Sequence, residues 1–429
     1  MKTLLKNGRV VNPKGKQGRM DLLIENGKIA QLAEHIHAED AAVLDMTGKT
    51  ICPGFCDMHV HFREPGQEYK ETIETGAMAA VAGGFTSVAC MPNTSPVVDH
   101  EAMVRYILEK ARMAHLAKVY PVACITKGLK GKELTEMGLL QQAGAIAFSD
   151  DGRPVENSRM MKLALQYAKG FDALIISHCE DLSLAEQGVM NLGRTSTMLG
   201  LPGITRASEE VMVARELILA ETLHTKVHIA HVSTKGSCQL IREAKARGVQ
   251  VTAETAPHYL VATDALVESL DTSTKVNPPL REEEDRLAVI QAVKDGTMDC
   301  IVTDHAPHHA DDKDVEYNSA ANGIVGLETS FALCYTELVK RQGMTMAQLV
   351  EKMSVRPHEI LGLEGGVLAE GKPADITVVA EDKPGKIQKE TFYSKGRNTP
   401  FDGWSVAGCV TDTFVDGRHV YQDGKIVKE

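Results

Sequence analysis

Eight short apolar runs, alternating with segments of helical period, leave this chain few folds to choose from. The runs are GFCDMHV, FTSVACM, KVYPVACI, AIAFSD, ALIISH, KVHIAHV, QVTAET and CIVTDH, and all fall between Gly54 and Pro307. Segments of helical spacing follow most of them, among them Glu68–Ala82, Glu101–Ala114, Ser208–His224 and Glu282–Lys294. Strands apolar almost throughout are covered on both faces, and their alternation with helices predicts a parallel sheet wrapped by helices. Eight such units in about 250 residues predict a (β/α)8 TIM-type barrel. An open doubly wound sheet is the competitor, but it would favour a GxGxxG turn that the sequence lacks.

The two ends read differently. LLKNGRVV, DLLIENGKIAQL and VLDMTGKTI near the start, and ADITVVA, DTFVDGRHVY and QDGKIVKE near the end, are short strands broken by tight turns. Each end alone is too short to bury a core. Residues 1–52 and 365–429 are therefore expected to pair into one small β-sandwich-like domain beside a barrel spanning 53–364. Two stretches, Ser183–Arg206 and Ala306–Leu327, read as loops of a length that tends to be functional.

Charge and cysteine usage narrow the partners. Lys plus Arg number 47 against 58 Asp plus Glu, a net charge of −11, and no basic tract is present. A nucleic-acid or anionic-membrane partner is not expected. No run approaches the ~18 apolar residues of a membrane span. The start, MKTLLKNGRVVNPKG, has too short an apolar run for a signal peptide. The nine Cys are scattered without a CxxC pair, so they read as reduced thiols of a cytoplasmic protein, mostly buried in strands. In so acidic a chain, an anionic substrate needs local positive charge from an Arg or a metal.

Chemistry concentrates where the apolar runs end. Asp57, His59, His61 and Arg63 recur at period two, which places them on one face of an extended segment with Cys56 on the other. A lone HxH pair is more often structural than metal-binding. Here, however, Asp150 and Asp151 end the fourth run, His178 the fifth, His231 the sixth and Asp304 the eighth. In a barrel these positions converge on the carboxyl-end face. Five strand ends supplying His or Asp together suit a divalent metal such as zinc, and the set is large enough for two ions sharing a carboxylate. His228, by parity with His231, is expected to face the helical layer as an ordinary hydrogen-bonded histidine. Cys90 and Cys179 read as packing residues. Asp57 is either an acceptor that orients a histidine or a buried, satisfied carboxylate.

The segments GFCDMHVHFREPG, MPNTSPVVD, FSDDG, VNPPLR, TDHAPHH and GIVGLETS resemble the amidohydrolase superfamily, and more closely its type I bacterial dihydroorotases. The resemblance runs over nearly the whole chain. It implies that His59 and His61 bind one zinc ion and His178 and His231 a second, two per subunit. Asp151 would bridge them, and Asp304 would be both a ligand of the first ion and the catalytic base. Hydantoinases bridge their metals with a carboxylated Lys at the end of the fourth strand, where this chain has FSDD. Choosing Asp151 over Asp150 also rests on the resemblance. Substrate contacts implied in the same way are His61, Arg63, Asn93, Asn277, His308 and the backbone at Asn322 and Gly323. The family often has Phe where Asn322 stands.

The implied activity is reversible cyclisation of N-carbamoyl-L-aspartate to L-dihydroorotate in pyrimidine biosynthesis, with a metal-activated hydroxide as nucleophile. The resemblance also suggests a homodimer and an association with aspartate transcarbamoylase. The competing readings are a hydantoinase- or allantoinase-like cyclic amidase and an inactive scaffold subunit. The missing Lys and the HFREPG segment speak against the first. The complete ligand set speaks against the second.

Overall fold

The computed structural model describes residues 2–427; Met1 and the last two residues of the QDGKIVKE run lie outside the described residues. All eight apolar runs contain strands, and the expected barrel is borne out. In order they are Phe55–Val60 (β1), Phe85–Cys90 (β2), Lys118–Ala123 (β3), Ala147–Phe148 (β4), Ile176–Ser177 (β5), Val227–Ile229 (β6), Val251–Thr255 (β7) and Cys300–Ile301 (β8). β1 to β4 form one parallel sheet and β5 to β8 a second. Parallel bridges Phe148–Ile175 and Val60–His305 join the two sheets at both seams, which closes the ring.

The ring encloses a small core that includes Cys56, Met58, Ala89, Val122, Ala147, Ile176, Ala230 and Cys300. Alternate residues such as Val88, Val119, Val227 and Ile229 belong to the larger core between strands and helices. Of the expected helices, Glu101–Ala114 is found as read, and Ala207–Leu223 and Glu283–Lys294 differ by one residue at their ends. The first helix starts at Ile73 rather than Glu68. Thr72 caps it by accepting from the Thr75 amide, and the preceding residues form turns that lead to the barrel mouth.

The chain ends meet in one nine-stranded sheet. It is continuous in its hydrogen bonding, since Thr50–Pro53 pairs with Lys2–Val10 on one side and with Ile376–Lys386 on the other. Its own core draws on both ends, with Leu5, Leu22, Ile29 and Ile51 packing beside Leu368, Ile376, Val378 and Phe414. The stretch Ser183–Arg206 is not irregular throughout. It carries a helix at Arg194–Leu199 and a two-stranded pair, Met190–Asn191 with Gly203–Ile204.

Sheet and barrel are joined at the amino end of β1. The fully buried Phe55 ring lies 5.8 Å from both Phe85 and Phe331. Gly84, at φ +85°, lies so close to Thr377 and Phe55 that a β-carbon would fall 2.6 Å from the Thr377 methyl. Phe55→Ala is expected to cost about 3–5 kcal/mol, lowering the thermal midpoint while leaving metal content of the folded protein unchanged. An unaltered midpoint would show that this joint carries little of the stability.

Candidate active site

Every candidate site residue lies at or beyond the carboxyl end of the barrel strands. His59 sits near the end of β1, and His61 and Arg63 follow it in the departing loop. Asn93 follows β2, Asp151 follows β4 and His178 is the residue after β5. His231 and Asp304 lie just past β6 and β8. Both hold left-handed backbone, φ +32° and +49°, an uncommon choice for residues with a side chain.

The strand alternation expected of β1 fails locally. Cys56 and Met58 fill the ring interior, yet His59 also reaches the site, because the pairing of β1 with β2 shifts register between Asp57 and Val60. Asp57 does not touch a histidine ring. It accepts from the backbone amides of His59 and Thr303, and burial pushes it up to about 7.

Asp151 is the centre of the arrangement. Its Oδ2 lies 3.3 Å from His59 Nε2 and 3.4 Å from His61 Nε2, while its Oδ1 lies 3.4 Å from His178 Nδ1 and 3.3 Å from His231 Nε2. Asp304 Oδ1 stands over the first pair, 3.0 Å from His61 Nε2 and 3.6 Å from His59 Nε2. Asp150 points elsewhere, accepting from the amides of Ile125 and Thr126.

Two features show that these residues fit divalent metal. The buried Nε2 of His59 makes no hydrogen bond despite the neighbouring carboxylates, and the groups His59, His61, Asp151 and Asp151, His178, His231 each converge within 4.8 Å. The electrostatics also call for a cation. Burial disfavours a charged His59 ring, but Asp151 and Glu254 prevail and raise its proton affinity well above normal. Against the same burial, Asp151 and Glu180 push His178 up to about 10. Burial likewise opposes the charge on Asp151, yet His59, His178 and His231 hold it well below the usual carboxylate range. Buried charges of this kind persist only when paired or when they coordinate metal.

Three side chains set which ring nitrogen faces inward. His59 Nδ1–H donates to Glu254 Oε1 at 2.7 Å, which leaves Nε2 as the lone-pair nitrogen. His61 Nδ1–H donates to Asn93 Oδ1 at 2.9 Å, with the same result. His178 Nε2 meets Glu180 Oε2 at 3.2 Å, and Glu180 also accepts from Asn277 Nδ2. Asn93 and Asn277, expected to touch substrate, thus also brace the histidine shell.

His228 is a correction. It pairs with Ile176 and Thr252 and points into the ring, where it bonds Thr252 Oγ1 and Glu254 Oε2 at 2.7 and 3.0 Å. Its parity relative to His231 misled because the chain leaves regular β6 at Ile229. Sequence reasoning also missed Glu254 and Glu180. Glu254 is the one charged residue of the QVTAET run, and that was the available signal.

A cavity of about 220 Å³ opens over these groups, lined by His61, Arg63, Asn93, Asn277, His308, Asn322 and Gly323 together with Asp151, His178, His231 and Asp304. His59 lies behind its wall. Arg63 donates from Nε to the Pro307 carbonyl and carries its guanidinium to within 3.4 Å of His308 Nε2. Burial, then Arg63 and Lys313, push His308 down to about 2, so the ring is neutral and its Nε2–H donates to the Asn322 carbonyl at 2.8 Å. The loop carrying these residues is pinned from far along the chain. Asn398 donates to the carbonyls of Ala306 and Gly323 and accepts from the His308 amide.

Fold and site together define a barrel hydrolase of the amidohydrolase type, with groups of His and Asp that could hold metal at the carboxyl ends of the strands. A family profile described as "Dihydro-orotase-like" matches residues 48–237. Proteins named dihydroorotase from Syntrophus aciditrophicus and Pelobacter propionicus are 54% and 52% identical, aligned over 99% and 98% of this chain and all of theirs. Among solved structures, the L-hydantoinase of Arthrobacter aurescens superposes with a TM-score of 0.91 at 25% identity, covering all of this chain and 97% of its own. A dihydropyrimidinase from Brevibacillus agri gives 0.88 at 23% identity, covering all of this chain and 96% of its own. The chain belongs to the dihydroorotase family.

Glu254→Gln is expected to lower metal affinity about 10- to 100-fold with helix and strand content intact, read by competition with a chelator. Wild-type affinity would remove Glu254 from the support of His59.

Proposed function

We propose that this chain is a type I, zinc-dependent dihydroorotase that interconverts N-carbamoyl-L-aspartate and L-dihydroorotate. The observation that carries the proposal is the Asp151 carboxylate, each oxygen facing one histidine pair, with Asp304 above the first pair and the Arg63 guanidinium beside the same cavity. His59, His61 and Asp304 would hold one ion and His178 and His231 the other, with Asp151 shared. Metal at these residues supplies Lewis acidity for the ring amide carbonyl and lowers the pKa of the attacking water.

The chain's own groups do the rest. In the hydrolytic direction, Asp304 accepts the proton of the water that adds to the ring amide carbonyl. It returns that proton to the ring nitrogen as the C–N bond breaks, leaving the ureido group and a new carboxyl group that ionises by releasing the water's second proton to solvent. Burial would raise Asp304, but its bond to His61 and the nearby His59 outweigh this and keep it below the usual carboxylate range, so it begins ionised as a base must. Arg63, with Nε committed to Pro307, offers its terminal nitrogens to the substrate's retained carboxylate as a bidentate fork. Neutral His308 and the Asn322–Gly323 backbone fix the far side of the ring, and the small cavity keeps the carbonyl close to the nucleophile.

A hydantoinase-like activity is the second reading, favoured by the structural neighbours of that name. The Asp at the end of β4, where a carboxylated Lys would be required, weighs against it.

Asp304→Asn should still bind metal through the remaining ligands and lose about 10²- to 10⁴-fold in kcat/KM; a near-normal rate would remove it as the base. Arg63→Met should raise KM for dihydroorotate about 10- to 100-fold with metal content unchanged. An unchanged KM would place the carboxylate elsewhere. Turnover of hydantoin in preference to dihydroorotate would overturn the assignment itself.

A further inference from the structure

A second cavity, of about 440 Å³, abuts the catalytic one and shares His308 with it. Lys313, Lys389, Lys395 and Arg397 line it, with Asn398 at the common wall. Among the described residues, none of these four cations has a carboxylate within ion-pair distance. Lys313 Nζ donates to the carbonyls of Thr272, Lys275 and Ala321, and Lys395 Nζ to that of Glu68. Arg397 donates to the carbonyls of Phe392, Ser394 and Gly396. Such bonds satisfy the donors without a directly paired carboxylate, while Asp271 and Asp312 act on Lys313, and Glu328 on Arg397, only from beyond ion-pair distance. Arg63, across the His308 wall, is equally without a carboxylate partner. One acidic residue, Asp314, lines the cavity, and the nearby Asp311 and Asp312 are engaged by His309 and Lys70.

This concentration of unpaired positive charge stands out in a chain of net charge −11, which at long range repels anions. The cations also act on one another: after burial, the positive charge of Lys275 contributes to pushing Lys313 down to about 7. Repulsion of that kind is tolerated where an anion relieves it.

We infer that the cavity lined by Lys313, Lys389, Lys395 and Arg397 is an outer anion site that recruits the dianionic open-chain substrate and hands it to Arg63. The inference rests on the dihydroorotase reading, which supplies a substrate with two carboxylates. Fields focused by such a cleft raise local substrate concentration and association rates by 10-fold or more, and salt screens them over about a Debye length. The pocket therefore contributes to kcat/KM and leaves kcat alone, because Lys389 and Lys395 touch none of the reacting groups.

The test is the double variant Lys389→Glu/Lys395→Glu, assayed with N-carbamoyl-L-aspartate from about 10 mM to 0.5 M ionic strength. A remote pair on the flanking sheet, Lys6→Glu/Lys28→Glu, gives the same change in net charge. The expected result is a kcat/KM about 5- to 10-fold below wild type at low salt, an unchanged kcat, convergence with wild type at high salt, and a remote variant close to wild type. Equal kcat/KM at low salt, a deficit that persists at high salt, or an equal loss in the remote variant would each overturn the outer site. Absence of turnover in the wild-type enzyme would instead overturn the dihydroorotase reading, so the two failures are distinguishable.

Discussion

The sharing of one buried carboxylate, Asp151, between two histidine pairs is the constraint on which the site depends. Its Oδ2 lies 3.3–3.4 Å from two ring nitrogens that β1 and its departing loop supply, and its Oδ1 3.3–3.4 Å from two that follow β5 and β6. Four rings and two carboxylates crowded out of water would be strongly unfavourable without compensating cations. A closed parallel barrel solves the placement problem, because the strand ends bring residues more than a hundred positions apart in sequence to one rim. The braces continue inward. His228 bonds Glu254, and Glu254 bonds His59, so the His59 ring is fixed by a chain of hydrogen bonds running through the barrel core.

The Arg63 and His308 side of the cavity depends on a different part of the chain. Ser394 to Asn398, in the segment between the last two long strands of the flanking sheet, folds over the barrel mouth. Asn398 ties the two stretches that flank the substrate loop, and Glu71 receives bonds from His305, Ser394 and the Lys395 amide. His305 in turn accepts from the Gly326 amide through Nδ1. The flanking sheet is thereby linked to the geometry around Asp304, its immediate neighbour in sequence. Three of the four cations of the adjoining cavity, Lys389, Lys395 and Arg397, lie between the same two strands, which joins the inferred substrate recruitment to loop positioning.

Much of this was legible in the sequence, for physical reasons. Period and apolarity reveal strands that are covered on both faces, so all eight barrel strands could be placed. A polar residue at the end of such a strand has few places to point other than the rim, so the positions of His178, His231 and Asp304 could be read as well. What period alone could not give was local departure from regular geometry. The register shift in β1 broke the alternation expected there without moving His59 from the site, and the early end of β6 reversed the facing expected for His228. Nor does a hydrophobic pattern reveal contacts between segments distant in sequence. Glu254 stood out only as the one charge in its strand, and Asn398 carried no signal in a stretch assigned to the flanking domain. The choice of Asp151 over Asp150 lay beyond the strand pattern and rested on the family resemblance; in the structure Asp150 accepts from the Ile125 and Thr126 amides.

The claim that Asp151 organises a shared metal centre is tested most directly by titrating metal-free protein with zinc and measuring bound metal in wild type and Asp151→Ala. The account predicts two tight equivalents in wild type and loss of tight binding at both positions in the variant, because each ion depends on the same carboxylate. Wild-type stoichiometry and affinity in Asp151→Ala would contradict it.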